Sequence, residues 1–208
     1  LSKRFGPIHE TLFERIHNVS IEGYGYSVAH TSKEIPPHND FASYKSQPSI
    51  QILHMLENEC EGGDSIIVDG WEVVEDLRKD NPEYFNILKE FNVPFRQFDE
   101  NNETYTVAPL INCSSDGSIE SFRFSNHLMQ MIDPSREGIR NFYKAYHEIS
   151  SRVLDSKYRS TFRLNAGEAL IVASLRVLHG RESFTSNGKR YLQDAYFVYD
   201  NALNNCVI

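Results

Sequence analysis

Cysteine is scarce in this chain, with three in 208 residues and none in C-x-x-C spacing. Cys60, Cys113 and Cys206 therefore suggest neither a disulfide framework nor a cysteine-rich zinc site, and a reducing, cytoplasmic setting is expected. No apolar run approaches the roughly 20 residues a membrane span needs, so no membrane partner is expected. Clusters of Lys and Arg are missing too: 21 basic against 29 acidic residues give a formal charge of −8, the wrong balance for tracking a phosphate backbone, and no nucleic-acid partner is expected. Internal repeats and low-complexity stretches are absent, and Gly and Pro punctuate turns rather than gather into a linker, so one domain over residues 1–208 is the simplest organisation. No signal-peptide pattern opens the chain, and a start at Leu1 rather than Met leaves room for residues upstream.

What is present is a composition, 40% hydrophobic and 12% aromatic, able to build a sizeable core. Short strand-like runs are expected at 24–30, 49–56, 65–69, 93–98, 105–111, 119–124, 160–164, 169–173 and 191–199. Two regions read as helical. In WEVVEDLRKDNPEYFNILKEF, Val73, Val74 and Leu77 fall at helical spacing and Pro82 opens a second helix. In DPSREGIRNFYKAYHEISSRVL, Asp133 is expected to cap and Pro134 to take the first helical position. Many short strands with few helices do not make a βαβ alternation. The pattern is mainly β with flanking helices, a sandwich or jelly roll.

The segment PPHNDF places His38 and Asp40 two residues apart after two prolines. On an extended chain they share a face, an imidazole beside a carboxylate. His179, in RVLHGRESF near the other end, supplies a third donor, and two imidazoles with one carboxylate form the set that holds non-heme Fe(II) with positions left open. Arg190 opens RYLQDAYFVY, and its guanidinium suits the distal carboxylate of 2-oxoglutarate, with the Ser65 hydroxyl of GGDSIIVDG as a further donor. His54 reads as a core or supporting residue, and His127 and His147 as solvated or structural.

The segments PPHNDF, PSIQILHMLENECEGGDSIIVDGW, NAGEALIVASLRVLHGRESF and GKRYLQDAY resemble successive blocks of the γ-butyrobetaine hydroxylase and trimethyllysine dioxygenase family, within the taurine dioxygenase clan. The resemblance implies a double-stranded β-helix enclosing Fe(II), with 2-oxoglutarate and O2 as co-substrates. It implies His38, Asp40 and His179 as iron ligands, and Arg190, Ser65, Leu53 and Ser27 around 2-oxoglutarate. Members acting on γ-butyrobetaine hold its quaternary ammonium in an aromatic cage. Matching puts Tyr196, His30, Phe13 and His17 at cage positions, and Asn126 at the substrate's other end. The two histidines make a poorer site for a permanent cation, so a taurine-like sulfonate or another small zwitterion stays open as substrate. A jelly-roll protein that binds metal without turnover stays open as well. The family's separate N-terminal zinc-binding domain has no counterpart expected here, and a homodimer would fit the family.

Overall fold

The computed structural model describes residues 2–21 and 28–205. In chain order its elements are α1 (Ser2–Phe5), β1 (His17–Ser20), β2 (Ile35–His38), β3 (Ile50–Asn58), β4 (Ser65–Asp69), α2 (Gly70–Asp80), α3 (Pro82–Glu90), β5 (Val93–Phe98), β6 (Glu103–Ala108), β7 (Ile111–Cys113), β8 (Ile119–Phe122), α4 (Ile139–Leu154), β9 (Arg159–Phe162), β10 (Ala169–Ala173), β11 (Val177–Arg181), β12 (Arg190–Phe197) and α5 (Tyr199–Asn205). The fold is mainly β, and every pairing between these strands is antiparallel.

Two four-stranded sheets, ordered β1-β12-β3-β10 and β2-β11-β4-β9, carry the site, and β5-β6 and β7-β8 are hairpins beside them. Strand side chains alternate between faces. On β12 the alternate residues Arg190, Leu192, Asp194 and Tyr196 are buried, as is Phe197 at the strand's end, and across the pairing Leu192, Asp194 and Tyr196 meet Met55, Leu53 and Gln51 of β3. His17 and Val19 of β1 stand opposite Asp194 and Leu192. In the second sheet, His179 and Arg181 of β11 stand opposite Ile67 and Ser65 of β4, and His179 also faces His38 of β2. Gln51 and Tyr196 reach from the first sheet to Asp40, just past the end of β2. The two faces therefore close on each other at the HxD segment.

The other face of the second sheet bears the main core. Val68 and Leu178 pack with Val73, Val74 and Leu77 of α2, Leu88 of α3, and Phe142, Ala145, Ile149 and Val153 of α4. Each fully buried large apolar side chain contributes roughly 1.5–3 kcal/mol, so this layer fixes the sheet from behind. Asp69 ends β4 and caps α2, its Oδ1 accepting from the Trp71 and Glu72 amides at 3.1 and 3.4 Å. The same carboxylate takes two prongs from Arg176. Among the described residues no helix is long and apolar enough to cross a membrane.

Four local expectations change. Of the run 24–30, residues 24–27 lie outside the described residues, and Val28–His30 form one 3-10 turn. The run 105–111 divides at Pro109, which has no N–H for a ladder, into the end of β6 and the start of β7. Asp133 does not cap α4: its Oδ1 takes the Ser135 amide and hydroxyl in a local turn. A left-handed Gly138 (φ 78°) then delays the helix to Ile139. β2, spelled IPPH, is a strand despite two prolines because it is the edge of its sheet, where a missing donor costs least.

Candidate metal centre

Alternation along HND sets the centre's first two groups. Asn39, 1% exposed, points away from its neighbours into the core. Its side-chain amide donates to the Phe122 and Ser174 carbonyls at 2.6 and 3.3 Å, and its carbonyl accepts from the Phe124 amide at 2.9 Å. With Asn39 bolted on one side, His38 and Asp40 face the other. Phe41 then adopts a left-handed backbone (φ 51°) that few non-glycine residues take, and a turn closes from the Tyr44 amide to the Phe41 carbonyl at 2.8 Å. Such a conformation costs on the order of 1–3 kcal/mol. Burying the Phe41 ring against Tyr44 and Tyr196, at 4.7 and 4.8 Å between centroids, offsets it.

His179 arrives from β11 in direct register with His38. The close approach needs Gly180, where a Cβ would meet the Ile35 carbonyl oxygen at 2.6 Å. The two imidazole rings lie 4.6 Å apart. His38 Nε2 is 3.4 Å from Asp40 Oδ1, and His179 Nε2 is 3.4 Å from Asp40 Oδ2. One donor atom from each of the three residues lies within 4.8 Å of the others. His38 Nδ1 is 2.9 Å from the Pro36 carbonyl, which fixes Nδ1 as the protonated nitrogen and turns the Nε2 lone pair toward the cluster. Burial pushes His179 down to about 4, so it stands as a neutral donor. Burial alone would raise Asp40, but the two imidazoles and the Tyr196 hydroxyl outweigh it and hold the carboxyl well below its usual range. Against its burial, Asp40 and the Pro36 and His179 contacts raise His38 above its ordinary value, and a bound cation would displace that proton; two imidazoles and one carboxylate converging on a point are a donor set that fits a divalent first-row metal such as Fe(II).

A second carboxyl stands behind the first. Tyr196 donates its hydroxyl toward Asp40 Oδ2 at 2.7 Å and is also hydrogen-bonded to Asp194 Oδ2. Gln51 Nε2 lies 2.8 Å from Asp40 Oδ2, 3.0 Å from Asp194 Oδ2 and 3.0 Å from the Tyr196 hydroxyl. Burial and the neighbouring Asp40 raise Asp194 well above the usual carboxylate range. The sequence reading passed over Gln51 and Asp194. Their only signal was a polar residue at an inward position of a strand.

At the other end of β12 sits a buried cation. Arg190 is 7% exposed and its Nε has no hydrogen-bond partner among the described residues. Arg181, close by on β11, is already engaged: its Nη2 donates to the Thr31 and Lys33 carbonyls at 2.7 and 2.6 Å. Both guanidinium groups lie over the Phe184 ring, at 5.3 and 4.7 Å from its centroid. Gly62, left-handed at φ 78°, lets the GGDS loop cross that segment, since a Cβ there would meet the Ser183 carbonyl at 2.8 Å. Ser65, buried, stands opposite Arg181, and Leu53 lies on the inward face of β3 opposite Asp194. A buried guanidinium with an unpartnered Nε can receive an anion, and a carboxylate suits its geometry.

The substrate-side candidates are brought together in part. Phe13 stacks on His17 at 4.5 Å and touches Phe41 at 5.7 Å, and His17 meets His30 edge-on at 5.6 Å. His30 Nδ1 is 3.0 Å from the Ser20 carbonyl. Tyr196 adjoins this group through Phe41, but its hydroxyl is committed to carboxylates. Asn126 stands apart, exposed, its side-chain oxygen accepting from Tyr146 on α4. Ser27 lies outside the described residues. His127, exposed as expected, sits edge-on against His38 at 5.1 Å between centroids. His54 points to the outer face of its sheet, between Ala169 and Gln193.

The family described as "Taurine catabolism dioxygenase TauD, TfdA family" matches residues 1–196. A gamma-butyrobetaine dioxygenase from Pseudomonas sp. (strain AK-1) is 31% identical over 209 residues, covering 100% of this chain and 55% of that protein. The mitochondrial trimethyllysine dioxygenase of Rattus norvegicus is 27% identical over 216 residues, covering 100% of this chain and 50% of its own. The chain thus spans about half the length of the curated relatives it matches. Among solved structures, asparagine oxygenase in complex with Fe(II), 2S,3S-3-hydroxyasparagine and succinate superposes with a TM-score of 0.69 at 18% identity, covering 89% of this chain and 57% of the other.

Proposed function

The chain belongs to the taurine catabolism dioxygenase TauD, TfdA family, and on that premise we propose that it is an Fe(II)- and 2-oxoglutarate-dependent dioxygenase that hydroxylates a small molecule. The observation that carries this reading is the convergence of His38, Asp40 and His179 to within 4.8 Å. The two antiparallel four-stranded sheets facing each other across these residues support a double-stranded β-helix, the jelly-roll arrangement.

In this reading His38 Nε2, His179 Nε2 and Asp40 hold the metal. Fe(II) with 2-oxoglutarate and O2 supplies the oxidation of an unactivated C–H bond to an alcohol, releasing succinate and CO2. The protein's own residues then have three tasks. Pro36 holds the His38 tautomer, and Gln51 and Tyr196 fix the orientation of Asp40. Arg190, assisted by Ser65, anchors the far carboxylate of 2-oxoglutarate, while Leu53 lines its chain. Phe13, His17, His30 and Tyr196 shape the space for the substrate, and placement there selects the C–H bond that reacts.

The test is succinate formation from 2-oxoglutarate with Fe(II) and a panel of small amines and acids. Turnover that a chelator abolishes supports the proposal. Tight Fe(II) binding with no turnover across the panel would instead assign the fold to a metal-binding protein without catalysis.

A further inference from the structure

Asp194 Oδ1 and His17 Nε2 are among the buried polar atoms that lack hydrogen-bond partners among the described residues. They are neighbours. His17 on β1 stands directly opposite Asp194 on β12, and such cross-strand pairs place their Cβ atoms roughly 4.5–5.5 Å apart on one face. Asp194 is 5% exposed, with Oδ2 held by Gln51 and Tyr196. That grip fixes the carboxyl, while Oδ1 has no hydrogen-bond partner among the described residues. Buried acceptors are nearly always met, and one left open beside a reaction centre points to a ligand.

The surroundings narrow the ligand's chemistry. The Gln51 side-chain amide, the Tyr196 hydroxyl and the Ala195 backbone amide hydrogen-bond the Asp194 carboxyl, with the Asp40 carboxyl beyond them. His17, stacked on Phe13 and edge-on to His30, is held below its ordinary value by burial and by His30, so it brings no charge at neutral pH. An anionic head group would meet the carboxyl oxygens of Asp194 and, beyond them, the Asp40 carboxylate, and none of Gln51, Tyr196, His17 or Phe13 brings a compensating positive charge. A trimethylammonium group has no N–H, and its methyl shell would leave Oδ1 unmet.

We infer that Asp194 receives a hydrogen-bearing ammonium group of the substrate, a primary or secondary amine, with the His17 ring alongside. The inference rests on the oxygenase reading and deepens it, because it makes a directed hydrogen bond, rather than a cage for a quaternary nitrogen, the determinant of specificity. Sites built to hydrogen-bond a substrate N–H discriminate strongly against analogues that lack it.

The experiment compares dissociation constants, by calorimetry on the Fe(II)- and 2-oxoglutarate-loaded protein under anaerobic conditions, for γ-aminobutyrate, δ-aminovalerate and ε-aminocaproate, each beside its N-trimethyl counterpart. For the best-bound pair the amine should bind at least about tenfold tighter than its methylated partner. In Asp194→Asn that ratio should fall to near one or invert, while Asp194→Glu should keep its direction. Because the ratio is taken within one protein, any loss of folded or metal-loaded molecules cancels. The inference is overturned if the methylated partner binds equally well or better, if the ratio is unchanged in Asp194→Asn, or if no amine of the series binds. Failure to bind 2-oxoglutarate or form succinate would count against the oxygenase reading instead, so the two failures are distinguishable.

Discussion

Gly180 follows His179 and lies where β11 presses on the edge strand β2, so Gly180→Ala perturbs the centre without touching a donor atom. The added Cβ would sit 2.6 Å from the Ile35 carbonyl oxygen and 3.1 Å from both Pro36 C and Pro37 N. Ordinary contact begins near 3.4 Å, so β2 must retreat by about 0.8 Å. All the nearby atoms are backbone, and two belong to prolines, so no flexible side chain can absorb the clash. Overpacking of this kind costs roughly 1–3 kcal/mol. For a chain of this size that lowers the melting temperature by about 2–12 °C, at about 2–4 °C per kcal/mol. The retreat also moves His38 relative to His179, and a displacement beyond about 0.5 Å exceeds what a preorganised site tolerates. Fe(II) titration of the folded variant, followed by the melting curve of the apo protein, should show weakened metal affinity together with reduced stability. Unchanged Fe(II) affinity in a protein that melts several degrees lower would refute the argument that the β2–β11 approach sets the geometry of the centre.

Arg190→Leu should raise the dissociation constant for 2-oxoglutarate by roughly ten- to a hundredfold, the worth of a charge-assisted hydrogen bond, while Fe(II) affinity measured separately stays near wild type. Asn39→Leu removes the partners of the Phe122 and Ser174 carbonyls and the Phe124 amide. It should cost about 3 kcal/mol or more, seen as a lowered urea midpoint, since each buried group left unmet carries roughly 1–3 kcal/mol. Asp69→Ala removes the cap of α2 and the partner of Arg176, with an expected loss of about 1–2 kcal/mol at neutral pH. The folded Asp69 titrates below its ordinary value, its burial outweighed by Arg176 and the helix amides. Its contribution is therefore complete above the unfolded value near ~4 and fades as pH falls through the lowered folded value. Wild type and Asp69→Ala should accordingly converge in stability under acid. A gap that widens toward low pH would contradict the capping role.

The site was legible where donors follow strand alternation. His38 and Asp40 could be paired from their spacing, and His179 from chemistry and order, because those residue types have few other reasons to stand in such a series. Gln51 and Asp194 were not legible. A glutamine or aspartate on a strand normally faces solvent, and only the two-sheet closure turns their side chains inward. In the fold, continuous runs such as 65–69 and 169–173 showed their period directly. β2 and β11 did not, because prolines disguise the one and Gly180 interrupts the other. The start of α4 was misplaced for a related reason: Asp133 and Pro134 are a sound helix signal, but left-handed Gly138 breaks the path. Tyr196 shows the limit of matching residues by position, since its ring lies where a cage would be while its hydroxyl serves the carboxylates.

The register that sets His38 opposite His179 also governs when the centre can exist during folding. Its donors come from segments separated by about 140 residues of chain, and closing so long a loop is entropically unfavourable before any contact rewards it. Topologies dominated by such distant pairings fold slowly. No fragment ending before β11 holds all three donors, so the His38–Asp40 pair gains its third ligand only when β11 has docked. The ion then stabilises that state by mass action, by about 2.7 kcal/mol at a hundredfold excess over its dissociation constant. Metal supply would thereby enter the folding equilibrium of the chain itself.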